Sequence, residues 1–348
     1  MAAGGAGRGS YPSALLDWPG LYTGPTTDEA DEQYAGAVAE AVRRGINLID
    51  CAINYRHMRS ERALGAGLKR LFDSGEASRD EVFVMSKAGY IPFDGEVPRD
   101  RNSFIRDTYV ERGILRPNEI VAGCHSIAPS YLADQFERSL NNFGFDALDV
   151  YFLHNVEQQL EEVAREEFDR RVRAAFRYLE SEVEKGRLGF YGAATWNGFR
   201  VPPENAEHLS LERLDELATE VVGPGHHFRV LQLPFNLAMP EALTQPTQKL
   251  HGQRVSFLEA AYALGMLTVT SVPLMQTQIL PHLPANFAPA MPELSTGAQR
   301  AIQFARSTPG VYAPLVGMKQ KAHVVENAEV ARHAPMDEES FARLISGE

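Results

Sequence analysis

Asp50, Tyr55, Lys87 and His154 are the residues whose types and placement allow concerted chemistry. Three of them close short apolar runs, Ile46-Asn-Leu-Ile-Asp50, Val82-Phe-Val-Met-Ser-Lys87 and Leu148-Asp-Val-Tyr-Phe-Leu-His154, and Tyr55 follows Asp50 by five positions. Each alone has a plain structural explanation. An Asp after a strand commonly caps the next helix. A loop Tyr usually packs, a Lys usually faces water, and a His after an apolar run is more often structural. Together the four form a working set. A phenol has an ordinary pKa near 10 and is a poor acid at neutral pH. An adjacent ammonium stabilises the phenolate and lowers that value. A desolvated Lys needs a counter-ion, which Asp supplies, and His donates a hydrogen bond to a carbonyl oxygen as charge develops there. This equipment protonates an alkoxide while a hydride arrives from elsewhere. No side chain donates hydride, so a nicotinamide or flavin is implied.

The background suits a globular enzyme. The chain has 348 residues, 44% hydrophobic and 23% charged, with a formal charge of −12. That charge opposes nucleic acid and anionic membranes as partners. No stretch has the roughly 18 uncharged apolar residues of a membrane span, and MAAGGAGRGSYPS lacks the basic-then-apolar order of a secretory signal. Cys51 and Cys124 are too few for a disulfide framework, which fits a cytoplasmic location.

The elements that must position the four residues alternate. Strands are expected at Leu21–Thr23, Ile46–Asp50, Val82–Ser86, Leu148–Leu153, Leu188–Gly192, Val230–Leu233, Met266–Thr270 and Val311–Val316. Helical periodicity covers Asp28–Arg44, Ser60–Leu71, Tyr131–Phe143, Phe168–Lys185, Leu211–Val221, Phe257–Leu264, Thr296–Arg306 and Lys321–Arg332. Alternation demands parallel strands with helical crossovers. Eight such units predict a (β/α)8 TIM barrel in one domain over residues 20–335, with a flexible N-terminal tail at 1–19 and a C-terminal tail at 336–348. An open doubly wound sheet is the competing architecture, but its Gly-x-Gly-x-x-Gly is missing after the first strand. Ala88 to Pro129, about forty residues rich in Pro, Gly, Arg and Asp, interrupts the rhythm after a strand's C-terminal end. Loops of that length are usually functional, and barrel active sites lie on that face. It reads as a substrate-pocket loop.

These motifs resemble the aldo-keto reductase superfamily. Gly45-Ile-Asn-Leu-Ile-Asp50 with Tyr55, Ser60-Glu61 and Leu64-Gly65 is similar to its signature, Val84-Met-Ser-Lys87 to the strand ending in its Lys, and Leu148 to His154 to the strand ending in its His. Lys185-Gly-Arg-Leu-Gly-Phe-Tyr-Gly192 resembles its glycine-bounded fifth strand. Gln232 with Phe235-Asn236 resembles the strand whose Gln holds the nicotinamide carboxamide, and Pro314-Leu-Val-Gly317 with Glu326-Asn327 the loop gripping the adenosine end. The resemblance implies an NAD(P)H-dependent oxidoreductase interconverting a carbonyl (aldehyde, ketone or sugar) and its alcohol, with Asp50, Tyr55, Lys87 and His154 catalytic. The implied cofactor is NADP(H), with NAD(H) as the alternative.

Departures accompany the match. The family's Ser-Asn against the carboxamide is Ala194-Thr195 here, so Thr195 or Asn197 must substitute. The residue aligned with the stacking aromatic is Ser271, followed by Pro273 and Leu274, which leaves Trp196 or Phe235 to cover the ring. His323 stands where Arg is frequent, so Lys319 and Lys321 are the candidates for a 2′-phosphate. Tyr90 and Trp196 are expected pocket walls by position. Arg56, His57 and Arg59 read equally as solvent-facing charge or as substrate contacts. Cys124 and His125 with His57 and His154 match no common zinc spacing, so no metal is expected. Two other function classes remain open: a cofactor-binding regulatory subunit with little turnover, and a redox-neutral epimerase or lyase using bound cofactor.

Overall fold

The structure, a computed structural model, describes residues 24–347. The strand expected at Leu21–Thr23 and the tail over 1–19 lie outside those residues. Among the described residues, seven strands form one sheet: β1 (Leu48–Asp50), β2 (Phe83–Ala88), β3 (Leu148–His154), β4 (Leu188–Ala194), β5 (Phe228–Pro234), β6 (Leu267–Ser271) and β7 (Val311–Pro314). Each pairs in parallel with its successor, and order across the sheet is order along the chain. A doubly wound sheet requires a reversal of that order, so this is the winding of a (β/α)8 barrel. Helices α1 (Asp28–Arg43), α2 (Arg59–Ser74), α3 (Pro129–Phe143), α4 (Arg165–Glu184), α5 (Leu211–Val222), α6 (Phe257–Ala263), α7 (Gly297–Ser307) and α8 (Lys321–Ala328) fall where the apolar periodicity places them, within a few residues.

Curvature is visible in one hydrogen bond. Gln232 on β5 donates from Nε2 to Asp50 Oδ1 on β1 at 3.0 Å. Four strand spacings in a flat sheet would separate those positions by about 19 Å, so the sheet must curl to bring them together.

Alternation along the strands then decides which side chains enter the barrel. An inner cluster gathers Met85, Val150, Phe152, Ala194, Val230 and Val269, with Leu48, Phe83, Ala313 and Leu315 around it, separate from the larger core between sheet and helices. Asp50, Lys87, His154, Gln232 and Ser271 each lie two residues beyond a member of this set, so the polar residues form the layer above the apolar plug. Gly192 lies at an inner position, and a Cβ there would collide with the Val230 carbonyl oxygen and come within 3.1 Å of the Phe152 ring. The register shift between Tyr191 and Gly192 allows this close backbone approach. Gly192→Ala is expected to destabilise the protein by about 2–3 kcal/mol through overpacking. A urea midpoint equal to that of the unmodified protein would count against it.

Residues 88–129 form an ordered insertion, with a short helix at Arg101–Ile105 that runs on to Val110. Its small core, Ile91, Ile105, Tyr109 and Leu115, edged by Phe104, Ile114 and Ile120, closes on Tyr131 of α3. Within the stretch read as a C-terminal tail lies helix α9 (Glu338–Ser346), capped by Asp337 and anchored by buried Phe341 and Leu344. A hairpin of Gln248–Leu250 with Gln253–Val255 lies outside the main sheet and has no counterpart in the expected elements.

Candidate active site

Lys87 is the centre of the polar layer and is 1% exposed. Its Nζ donates to Asp50 Oδ1 at 2.8 Å, to Asp50 Oδ2 at 2.7 Å and to the Cys51 carbonyl at 2.6 Å. Burial opposes the ammonium, but the charges of Asp50 and then Tyr55 outweigh it and hold Lys87 above its ordinary pKa. The ammonium is 5.1 Å from the centroid of the Tyr55 ring. The Tyr55 ring also meets His154, with ring centroids 5.9 Å apart and planes at 78°. Burial, with the Lys87 charge second, pushes His154 well below the ordinary imidazole pKa. A neutral imidazole is an N–H donor without being a competing acid. The four residues singled out by sequence therefore meet at one place.

Tyr55 is held by a compact turn. Arg56, His57 and Met58 all have positive φ, a costly conformation for residues with side chains. Arg56 stabilises this turn from beneath: its guanidinium is fully buried, donates to the Pro25 carbonyl at 2.7 Å and to Asp31 Oδ1 at 2.5 Å, and lies 4.8 Å from the Tyr34 ring centroid. Arg59 pairs with Asp28 and Asp31. Both arginines thus bind the turn to α1. His57 packs on Phe93 of the insertion at 5.8 Å, and its carbonyl accepts from Gly95. Cys51 is a buried filler whose thiol is pushed up by burial and then by Glu61.

The expected cofactor residues follow the rim from β4 to β7. The Thr195 hydroxyl is buried with no hydrogen-bond partner, whereas Asn197 directs its amide to Glu207 at 2.8 Å. Of the two, Thr195 is the one with a buried polar atom left unengaged. Gln232 uses one N–H on Asp50, which leaves its carbonyl and second N–H. Ser271 ends β6, followed by buried Pro273 and half-buried Leu274. Val272, Met275, Gln276 and Thr277 there all have positive φ. Beyond β7, Gly317 is exposed and Lys319 half-buried; on α8, His323 is exposed and Glu326 and Asn327 are half-buried. Asn327 donates to Met318 Sδ and leaves its Oδ1 buried without a partner. Lys321 lays its stem over Gly36 of α1, so Lys319 is the freer candidate for a 2′-phosphate.

Phe235 does not serve as a ring cover. It is fully buried and stacks on Phe304 at 5.8 Å with planes 7° apart. Trp196 is half-buried, and its backbone is fixed by Glu157, whose Oε1 accepts from the backbone N–H groups of Trp196, Asn197 and Gly198. Tyr90 is buried edge-on to His154 at 5.3 Å, with its hydroxyl between Asn155 and Gln158. Among the described residues, no group of three or more His, Cys, Asp or Glu is arranged to hold a metal, and no helix is long and apolar enough to cross a membrane. Glu157, Gln159 and Arg171 were not apparent from sequence, and His125 was weighed there only as a metal ligand, because spacing carries no signal for partners tens of residues apart.

Against this geometry, the sequence matches the family model described as Aldo/keto reductase family over residues 20–201, more than half the chain. The chain belongs to the aldo/keto reductase family. The fold agrees with solved members. An aldo/keto reductase from Klebsiella pneumoniae in complex with NADP and acetate aligns with a TM-score of 0.62 at 18% identity, covering 94% of this chain and 88% of that one. An aldo-keto reductase from Klebsiella pneumoniae in complex with NADPH aligns with a TM-score of 0.59, at the same identity and coverage. A thermostable aldo-keto reductase, Tm1743, in complex with epalrestat aligns at 0.58 and 17% identity, covering 92% and 89%. The likeness of fold to the solved aldo-keto reductases extends beyond residue 201, over the half of the barrel that carries Gln232 and Lys319.

Proposed function

We propose that this chain is an NADP(H)-dependent oxidoreductase that interconverts an aldehyde, ketone or sugar carbonyl with its alcohol, Tyr55 serving as general acid and base. The observation that carries the reading is the contact of Tyr55 with both the buried Lys87–Asp50 pair and neutral His154. NADP(H) is favoured by family membership and by the NADP and NADPH in the Klebsiella pneumoniae relatives. The residues fit such a group: Thr195 and Asn327 each hold a buried polar atom without a partner, and Gln232 keeps unused amide capacity. Thr195, Gln232 and Ser271 would hold the nicotinamide end, with Pro273 and Leu274 beside it. Gly317, Lys319, His323, Glu326 and Asn327 would hold the adenosine end. Bound there, the nicotinamide supplies or accepts the hydride.

The chain's own residues do the proton work. His154 orients the substrate oxygen by an N–H donation that strengthens as that oxygen gains charge. Tyr55 delivers its phenolic proton to the same oxygen, and Lys87 stabilises the phenolate left behind. Asp50 keeps Lys87 charged and fixed. Tyr90 and Trp196 border the same space and make its walls aromatic.

The test is NADPH oxidation with a panel of aldehydes, ketones and sugars, with deuteride from deuterated NADPH traced to the product carbinol carbon. Absence of NADPH consumption across the panel would reject net reduction. Lys319→Ala is expected to weaken NADPH binding about tenfold, the value of one charge-assisted contact, and to leave NADH unchanged. Equal weakening of both would remove Lys319 from the 2′-phosphate.

A further inference from the structure

The β2–β3 ladder ends at the pair Ala88 and Leu153. The next carbonyl, that of His154, has no sheet partner on that side. Its donor comes from the insertion: His125 Nε2 lies 2.7 Å from the His154 oxygen. Just beyond, Asn155 turns the chain through the left-handed region at φ 46° and ψ 55°, and its side chain donates to the Tyr90 hydroxyl at 3.1 Å. The peptide that carries the His154 side chain is thus fixed by an asparagine turning through the left-handed region and by a ring from a segment outside the barrel.

The direction of this network follows from its chemistry. The Arg171 guanidinium only donates. It gives one N–H to Gln159 Oε1 at 2.7 Å and another to the Asn118 carbonyl of the insertion at 3.0 Å. With Gln159 Oε1 engaged as acceptor, its Nε2 faces His125 Nδ1 at 2.8 Å and donates. His125 Nδ1 therefore accepts and Nε2 carries the hydrogen, which donates to His154. His125 is fully buried, its pKa is pushed down to about 4, mainly by burial, and the Tyr90 ring stands edge-on to it at 5.1 Å.

We propose that His125 is a positioning residue: it holds the main chain of His154, and hence the imidazole that faces Tyr55, in a tautomer set by Gln159 and Arg171. The proposal rests on the reading of the site above. It gives the long insertion a task inside the catalytic machinery, in addition to bordering the pocket.

The test uses His125→Gln, His125→Phe and Gln159→Leu in the full chain, with thermal midpoint and NADPH affinity measured beside turnover. A displacement of about 1 Å at a catalytic group costs on the order of 100-fold in rate. His125→Phe and Gln159→Leu are expected to lower kcat about 10- to 100-fold, with NADPH affinity unchanged and a larger deuterium effect from labelled NADPH. His125→Gln retains an N–H donor and is expected to stay within about threefold of the unmodified protein. A role in filling space alone predicts the reverse, with Phe tolerated and Gln not. Turnover of His125→Phe near that of the unmodified protein, or of His125→Gln no better than His125→Phe, would overturn the proposal. A second readout needs no turnover. With 15N-labelled histidine, His125 is expected to show a protonated Nε2 and an accepting Nδ1 between about pH 5 and 9, and Gln159→Leu is expected to shift the His154 ring resonances. If the unmodified protein reduces no carbonyl, the catalytic reading fails while this measurement still decides the positioning. Unmoved His154 resonances would refute it.

Discussion

Lys87→Met is expected to lower kcat by about a thousandfold and to destabilise the protein by about 3 kcal/mol. The turnover loss follows from the position of Lys87 beside Tyr55. Without the ammonium, the phenolate left by proton transfer forms next to the Asp50 carboxylate alone. Removing one group preorganised to meet developing charge costs about 10²- to 10³-fold, and the Asp50 charge, no longer neutralised, adds repulsion. The stability loss has a different origin. Breaking a buried ion pair costs about 3–5 kcal/mol, because the partner charge stays desolvated; the low end applies because Asp50 is 15% exposed. These two consequences separate in the double variant Lys87→Met with Asp50→Asn, where stability should recover and turnover should not. Urea unfolding beside steady-state kinetics reads both. Recovery of turnover in the double variant would show that Lys87 serves only to neutralise Asp50.

Tyr55→Phe keeps the ring that packs beside Lys87 and His154 and removes the proton. It is expected to lower kcat by about 10³- to 10⁴-fold, the upper part of the general-acid range, while NADPH affinity and thermal midpoint stay near those of the unmodified protein. The pH profile makes the same assignment from another side. His154 is held neutral by burial and by Lys87, so turnover should show no break near the ordinary imidazole value of about 6.5. A break there would give the acid role to His154. Residual activity in Tyr55→Phe within tenfold of the unmodified protein would do the same.

Much of this site was legible before the structure. Asp50, His154 and Ser271 close their strands, Lys87 and Gln232 lie within two residues of the ends of theirs, and strand alternation directs all five into the barrel. The same alternation, applied one residue further, decides Phe235. It shares parity with Leu231 and Leu233, which face the helices, and so it packs against Phe304 rather than into the barrel mouth. The expectation failed because it followed proximity in sequence instead of the two-residue period. Arg56 fits neither of the two roles weighed for it, solvent-facing charge and substrate contact: it is fully buried, and its partners Pro25, Asp31 and Tyr34 lie on α1 or just before it. The insertion was legible only as a length. Its core unites Ile91, Ile105, Tyr109, Leu115 and Tyr131 without a sustained period, and its contact with His154 depends on Gln159 and Arg171, which no local pattern connects to His125. Helix α9 had a readable Asp cap at Asp337, but it is too short for periodicity to distinguish it from a tail.

The insertion's small core bears on how the pocket can diversify. Residues 101–115 lean chiefly on one another and on Tyr131, so their outward positions are free to drift in sequence without disturbing the strands. Residues 121–126 have no such freedom, because Val121, Cys124 and Ser126 knit the base of the insertion to Gly89, Ile91 and His125. A designer moving this segment onto a related barrel would have to carry Gln159 and Arg171 with it. Transplanted alone, it would leave behind Gln159, which hydrogen-bonds its histidine, and Arg171, which hydrogen-bonds Gln159 and the Asn118 carbonyl of the insertion.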